Sequence, residues 1–152
     1  MTTRLIGSAA LLLLGAAVAS RLHGQRAHFG PHVAYNFDFK ETAIGAQLHL
    51  PVTRSWELYP SFDYYLVDTG SLLGISIDLK LRERRQPVYF GGGLNILRAS
   101  SGGTSSSNTG FDLFAGFETR YSWSHPYLEF RGLFHDGNSS LQGAFGINIT
   151  LR

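Results

Sequence analysis

From residue 28 to residue 152, apolar and polar side chains alternate with a period of two. In 72–82, five aliphatic side chains at odd positions oppose glycine, serine and charged residues at the even positions after Leu72. Such alternation indicates β-strands with one apolar face. Eight segments follow the pattern: 28–39, 42–52, 56–67, 72–82, 87–98, 108–121, 125–136 and 140–152. Each has about 11–14 residues, and a tilted strand needs about 9–11 residues to cross a bilayer.

The connections between these segments are short and rich in residues that favour turns, such as Lys40-Glu41 and 68–71. Short links between successive strands predict an antiparallel meander. The one long link, Ala99–Thr109, is rich in serine and glycine, and we expect an exposed loop there. The fold class predicted is all-β: a closed, eight-stranded, antiparallel up-and-down barrel.

Pro60 lies in the middle of a predicted strand. Proline has no N–H for the hydrogen-bond ladder, and a closed barrel has no free edge where that loss is harmless. We therefore expect a bulge at Pro60.

The alternation leaves open which face of the barrel points inward. A soluble lipocalin-like barrel keeps its apolar face inside, and a transmembrane barrel places that face outside. The chain has only two lysines, Lys40 and Lys80, whereas a soluble barrel usually displays many charged groups. Eight complete apolar faces also exceed the room inside an eight-stranded barrel. Aromatic residues near strand ends suggest an interfacial girdle: Phe37, Phe39, Trp56, Phe90, Tyr121 and Phe134. These features favour a transmembrane barrel with a polar interior.

Residues 1–19 have the pattern of a cleavable signal peptide. Arg4 is followed by the apolar run Leu5–Ala19, which ends in Ala17-Val18-Ala19, a small-x-small cleavage pattern. The run of about 15 residues is shorter than a membrane-spanning helix requires. The predicted organisation is a signal peptide, a short periplasmic segment at 20–27, and the barrel at 28–152.

Charged side chains on the predicted inward face must be paired, because an unpaired charge in a dry interior is costly. A turn centred on residues 69–70 would place Glu57 opposite Arg82 and Tyr59 opposite Lys80. We expect a structural network of interlocking acids and bases in the lumen. Its predicted members are Glu57, Asp63, Asp78, Lys80, Arg82, Asp112, Glu118, Arg120, Glu129 and Arg131.

His32 and His49 also fall on the inward face, and a two-residue turn at Lys40-Glu41 would place them opposite each other. Two imidazoles can bind a metal or sense pH, but two ligands without a third favour simple packing. We predict no metal and no cofactor. The run at 82–85 is basic, and at a hairpin turn such a run is usually solvated.

Composition excludes several other classes of protein. Without cysteine, the chain has no disulfide, no thiolate metal site and no cysteine nucleophile. Its net charge of +2 is low for a nucleic-acid-binding protein, so no nucleic-acid partner is expected.

The leader, the eight alternating segments and strands such as 88–94 and 110–117 resemble the small eight-stranded outer-membrane barrels, the OmpA/OmpX/OmpW-like group. The resemblance implies export to the outer membrane of a diderm bacterium, with both termini periplasmic and Ala99–Thr109 extracellular. It also implies outer-membrane lipids and the outer-membrane assembly machinery as partners. Members usually end in an aromatic residue, and this chain departs from that pattern with Ile149-Thr150-Leu151-Arg152.

The function expected is a structural or interaction role in the outer membrane, with a lumen plugged by polar side chains and no general porin activity. The extracellular ligand stays unidentified. Some barrels of this size modify lipid A, and Glu129, His135, Ser139 and Ser140 are residue types that a hydrolase uses. The deacylase pattern His-x-Ser-Asn is absent, so the protein is predicted not to be an enzyme. A lipid A-modifying enzyme and a soluble lipocalin-like carrier are the alternatives.

Overall fold

A computed structural model describes residues 26–83, 85–119 and 123–151. The predicted leader, most of segment 20–27, Arg120 and Tyr121 lie outside the described residues. The strands are β1 (His28–Asn36), β2 (Glu41–Pro51), β3 (Trp56–Tyr65), β4 (Ser71–Arg82), β5 (Val88–Ser101), β6 (Thr104–Glu118), β7 (Ser124–His135) and β8 (Asn138–Thr150).

The eight strands form one closed barrel in sequence order. Each strand pairs antiparallel with the next, and β8 pairs antiparallel with β1, where Val33 lies opposite Phe145. At the barrel end where β1 begins and β8 ends, here called the terminal end, the Leu151 N–H donates to the Ala27 carbonyl at 2.9 Å. The opposite end is called the loop end. This architecture confirms the predicted fold class.

No helix in the described part of the chain is long and apolar enough to cross a membrane.

The two faces of the wall are inverted relative to a soluble barrel. Phe62, Ile77 and Phe130 point outward and are 44%, 49% and 50% exposed, while Asp78 and Arg131 are 1% and 5% exposed. The polar interior predicted from the sequence is therefore confirmed. A lipocalin-like arrangement requires the reverse, and that alternative is wrong.

The expected long loop Ala99–Thr109 is instead part of a continuous hairpin. The β5–β6 ladder runs on to the pair Ser101–Thr104, closed by Gly102 and Gly103, whose φ angles are +57° and +85°. A two-residue hairpin turn of this kind needs positive φ at both positions, which two glycines supply. Both faces of this hairpin tip carry small polar side chains, so the apolar alternation that marks the other strands is lost there. The loop end therefore has only short turns among the described residues, at 37–40, 66–70, 102–103 and 136–137.

The expected bulge at Pro60 is absent. On the β2 side, the pairs Gln47–Ser61 and Leu50–Leu58 share one register across the proline, so no residue is inserted. The ladder merely omits the pairs between them. On the other side, Pro60 stays in register opposite Ile77. A local gap in one ladder is enough to accommodate the missing N–H.

Candidate functional site: a charged lumen

Arg131 on β7 lies at the centre of the lumen and contacts carboxylates from three strands. Its Nη1 donates to Asp78 Oδ2 at 2.7 Å and to Asp112 Oδ2 at 2.6 Å. Its Nε and Nη2 donate to Glu129 Oε1 at 3.2 and 3.1 Å. All four side chains are buried. The guanidinium therefore joins β4, β6 and β7 across the interior, and we call these residues the central cluster.

Aromatic rings enclose the central cluster. The guanidinium carbon of Arg131 lies 4.5 Å from the centre of the Phe114 ring. The Tyr89 hydroxyl donates to Glu129 Oε2 at 3.0 Å, and the Tyr59 hydroxyl oxygen lies 3.2 Å from the same carboxylate oxygen. These rings fit because β6 has a glycine beside them. A Cβ at Gly116 would lie 2.3 Å from Tyr89 Cζ, so the missing side chain makes room for the ring.

A second set of ion pairs, the lower cluster, lies nearer the terminal end. Glu118 Oε2 is 3.1 Å from Lys80 Nζ and 2.9 Å from Arg82 Nη1. Arg82 Nη2 is 3.1 Å from Glu57 Oε1. Lys80 Nζ also lies 3.6 Å from the centre of the Tyr89 ring. Two cations and two carboxylates thus alternate around the inner wall.

The register predicted for the β3–β4 hairpin is wrong by two residues. Glu57 lies opposite Lys80, and Tyr59 lies opposite Asp78. The turn spans 66–70 rather than being centred on 69–70. A shift of two preserves the face, and Arg82 still reaches Glu57 along the diagonal.

The predicted pairing of His32 with His49 is also wrong. His49 lies opposite His28, and His32 lies opposite Gly45. The turn at 37–40 is longer than the two residues assumed, because Asn36 Oδ1 accepts hydrogen bonds from two backbone N–H groups inside it.

The two histidines belong to different parts of the lumen. His32 Nε2 lies 2.7 Å from Asp63 Oδ1, and His49 Nδ1 lies 3.1 Å from Glu57 Oε2 in the lower cluster. Within the described ranges, no group of three or more histidine, aspartate or glutamate side chains could hold a metal ion.

Neutral polar side chains fill the space between the charges, and they were not among the predicted members of the lumen network. Gln47 Nε2 donates to Asn148 Oδ1 at 2.9 Å, and the Tyr59 hydroxyl donates to Gln47 Oε1 at 2.6 Å. The Tyr65 hydroxyl donates to Gln142 Oε1. These residues lie on the same alternating face as the charges, so that alternation was the signal that could have found them.

The residue types of a hydrolase are present, but their side chains are hydrogen-bonded to other partners and not to one another. His135 Nε2 lies 2.7 Å from Asn95 Oδ1. Ser140 Oγ accepts a hydrogen bond from Asn36 Nδ2 at 3.1 Å. Glu129 contacts Arg131 and two tyrosines in the central cluster.

No protein-family model and no curated protein matches the chain. Three of the solved structures that share its architecture illustrate the likeness. The N-terminal β-barrel domain of Pseudomonas aeruginosa OprF aligns with a TM-score of 0.71 at 14% identity, over 82% of this chain and 96% of that one. Ail, the attachment invasion locus protein of Yersinia pestis, aligns at 0.51 and 14%, over 82% and 95%. Neisserial surface protein A aligns at 0.54 and 13%, over 83% and 95%.

These three neighbours are small eight-stranded outer-membrane barrels. The chain has their architecture. At such low identity the likeness concerns the fold alone, and the chain's own residues must support any statement about its role.

Proposed function

We propose that the protein spans a bacterial outer membrane as a closed barrel, after export through the predicted leader 1–19. One observation carries the proposal: the inverted wall, with apolar side chains outside and charges inside. Each strand has large apolar side chains that point outward and are exposed. One from each strand, in order, is Val33, Ile44, Phe62, Ile75, Leu94, Phe111, Phe130 and Phe145. Soluble monomers rarely expose an apolar surface of this extent.

The closed ladder suits the same environment. In hydrocarbon, every backbone N–H and C=O needs a partner within the protein, and a closed barrel supplies one on both sides of each strand. The pairing of β1 with β8 closes the ring, so outer-membrane lipids are the proposed partners of the wall. The assembly machinery for such barrels is the partner proposed for insertion.

The lumen is proposed to be plugged. An eight-stranded interior is just wide enough for side chains to fill, and here the central cluster reaches from β4 to β7 through Arg131. Phe114, Tyr59 and Tyr89 pack around it. Opening such a path would separate buried ion pairs, which costs several kcal/mol. General porin activity is therefore not part of the proposal.

A structural or interaction role follows for a plugged barrel. Two of the neighbours are described as a surface protein and as an attachment invasion locus protein, which supports interaction through the loop end. Here that end presents short turns and the serine- and threonine-rich tip of β5 and β6. No catalytic activity is proposed, since His135 and Ser140 are hydrogen-bonded to amides rather than to each other.

Two measurements test this proposal. Membrane fractionation followed by gel electrophoresis, with and without boiling, should place the protein in the outer membrane and show a faster, compact band before boiling. Insertion into planar bilayers should give no steady conductance of the porin kind. Recovery in the soluble periplasmic fraction would contradict the membrane assignment, and sustained large conductance would contradict the plugged lumen.

A further inference from the structure

The two ends of the barrel differ in charge. Among the described turn and terminal residues, the terminal end carries three exposed arginines against one glutamate: Arg26, Arg54, Arg85 and Glu83. The loop-end turns carry three exposed aspartates against one lysine: Asp38, Asp68, Asp136 and Lys40. Arg82 belongs to the same basic run as Arg85, but its guanidinium bonds Glu57 and Glu118 inside the lumen. The structure therefore splits the basic run into an inward part and an exposed part.

A groove lies on the outer wall at this basic end. It has a volume of about 450 Å³ and lies between the 52–55 turn and the turn that connects β4 to β5. Its lining residues are Ser55, Leu81, Glu83, Gln86, Val88 and Phe90, and we call it the rim groove. The Arg82 N–H donates to the Ser55 carbonyl at 2.8 Å, which fixes the turn against the hairpin.

The rim groove has an apolar floor, and its edge is formed by polar residues of the two turns. Val88 and Phe90 point outward from β5 and are exposed, and Leu81 lies opposite Phe90. Trp56 lies opposite Leu81 on the other side and is 43% exposed. Tryptophan is enriched at the level of lipid headgroups, so this floor lies where acyl chains meet headgroups in the proposed membrane orientation.

The geometry points to an anionic phospholipid as the occupant of the rim groove. Its acyl chains would lie on Leu81, Val88 and Phe90. Its phosphate would face the exposed guanidinium groups of Arg54 and Arg85, which directly precede the lining residues Ser55 and Gln86 in the sequence. Guanidinium is well suited to phosphate because its planar N–H groups can donate in pairs. This inference rests on the proposed function, since it requires the wall to be in a bilayer.

The size of the effect follows from the charges. A basic residue near an anionic lipid surface contributes about a fivefold gain in affinity. Glu83 lies on the groove edge and opposes the two arginines. A net preference of about fivefold for an anionic over a zwitterionic lipid is therefore expected. Because these charges are exposed, added salt should weaken the preference.

Tryptophan quenching by brominated lipids measures this preference directly. The chain has two tryptophans, so Trp123→Phe leaves Trp56, beside the rim groove, as the reporter. The protein is reconstituted in vesicles of phosphatidylcholine and phosphatidylglycerol, with bromine on the acyl chains of one lipid at a time. From the quenching of Trp56, we expect a binding constant for phosphatidylglycerol that is about fivefold higher than that for phosphatidylcholine.

Matched variants distinguish the effect of the charges beside the rim groove from the effect of charges elsewhere on the barrel. R54Q/R85Q leaves Glu83 as the one remaining charge of the three and should abolish the preference or reverse it. K40Q/R98Q removes two cations from the loop end and should leave the preference unchanged, and E83Q should increase it. Equal quenching by both lipids in the parent protein, which carries only Trp123→Phe, would overturn the inference. An unchanged preference in R54Q/R85Q would do the same.

Flotation of the same vesicles distinguishes this inference from the proposed function. A parent protein that fails to float with either lipid mixture would overturn both. A parent that floats and shows the compact unboiled band, yet shows no lipid preference at Trp56, would overturn only the inference about the rim groove.

Discussion

The two faces of β4 show how differently the same strand is solvated on its two sides. Asp78 and Lys80 point into the lumen and are 1% and 0% exposed, whereas Ile77 and Leu79 point outward and are each 49% exposed. In a water-soluble barrel these fractions would be exchanged, because lysine and aspartate are rarely buried and aliphatic residues usually are. The stability of the lumen therefore depends on charge pairing. That of the wall depends on an apolar medium outside it.

Removing the cation at the centre of the lumen should destabilise the barrel more than any other single substitution considered. Arg131→Met leaves Asp78, Asp112 and Glu129 buried around an apolar side chain, and should lower the free energy of unfolding by about 3–5 kcal/mol. Urea titration in vesicles measures the change. Arg98→Met is the matched control, because Arg98 is exposed and the same substitution there should cost less than about 0.5 kcal/mol. Equal stability of the two variants would show that the central cluster is not a source of stability.

A charge on the outer wall should cost less, and the cost should depend on depth. Ile77 lies near the middle of β4, and Val88 begins β5 at the terminal end. Ile77→Arg should destabilise the barrel by about 2–4 kcal/mol in a bilayer, and Val88→Arg by about 0–1 kcal/mol. The same urea titration compares them. A wall that faces water would tolerate both substitutions equally.

Two glycines, one on each face, test the packing of the lumen against that of the wall without changing any charge. Gly116 points inward, and a Cβ there would lie 2.3 Å from Tyr89 Cζ and 2.8 Å from the Leu128 carbonyl oxygen. Gly116→Ala should therefore cost about 1–3 kcal/mol through overpacking. Gly143 points outward, and its nearest contact would be Phe37 Cε2 at 3.4 Å. Gly143→Ala should change stability by less than about 0.5 kcal/mol. Similar costs for the two would contradict a close-packed lumen.

The smallest expected effect is local and concerns the β5–β6 tip. Gly102 and Gly103 both have positive φ, which costs an alanine about 1–2 kcal/mol. Because the tip is exposed, G102A/G103A should fray it and leave global unfolding almost unchanged. Hydrogen exchange should show reduced protection of the amides between Arg98 and Ser107 only. Unchanged protection there would mean that the hairpin does not depend on this turn.

Features set by neighbouring residues could be predicted from the sequence, because they need only local spacing. Period two places Asp78 and Ile77 on opposite faces whatever the rest of the chain does. The scarcity of lysine, with only Lys40 and Lys80 in the chain, indicated that the polar face points inward. The fold class and the inward polar face follow from these two facts.

Register could not be predicted, since it depends on turn geometry rather than on alternation. The predicted His32–His49 pair and the observed His28–His49 pair differ by four residues of register, because the turn at 37–40 is centred two residues earlier than the assumed turn at 40–41. The contact of Arg131 with Asp78 across the lumen could not be predicted from the sequence either. It depends on how strands that are distant in sequence are staggered when the barrel closes.

The inverted wall is tested most directly by spin labels on adjacent residues of β4. The chain has no cysteine, so Ile77→Cys and Ser76→Cys each provide a single labelling site. In vesicles, the label at 77 should collide frequently with oxygen dissolved in the bilayer and rarely with a water-soluble nickel complex, while the label at 76 should be shielded from both. Frequent collisions of the label at 77 with the nickel complex, or of the label at 76 with oxygen, would contradict the inverted wall.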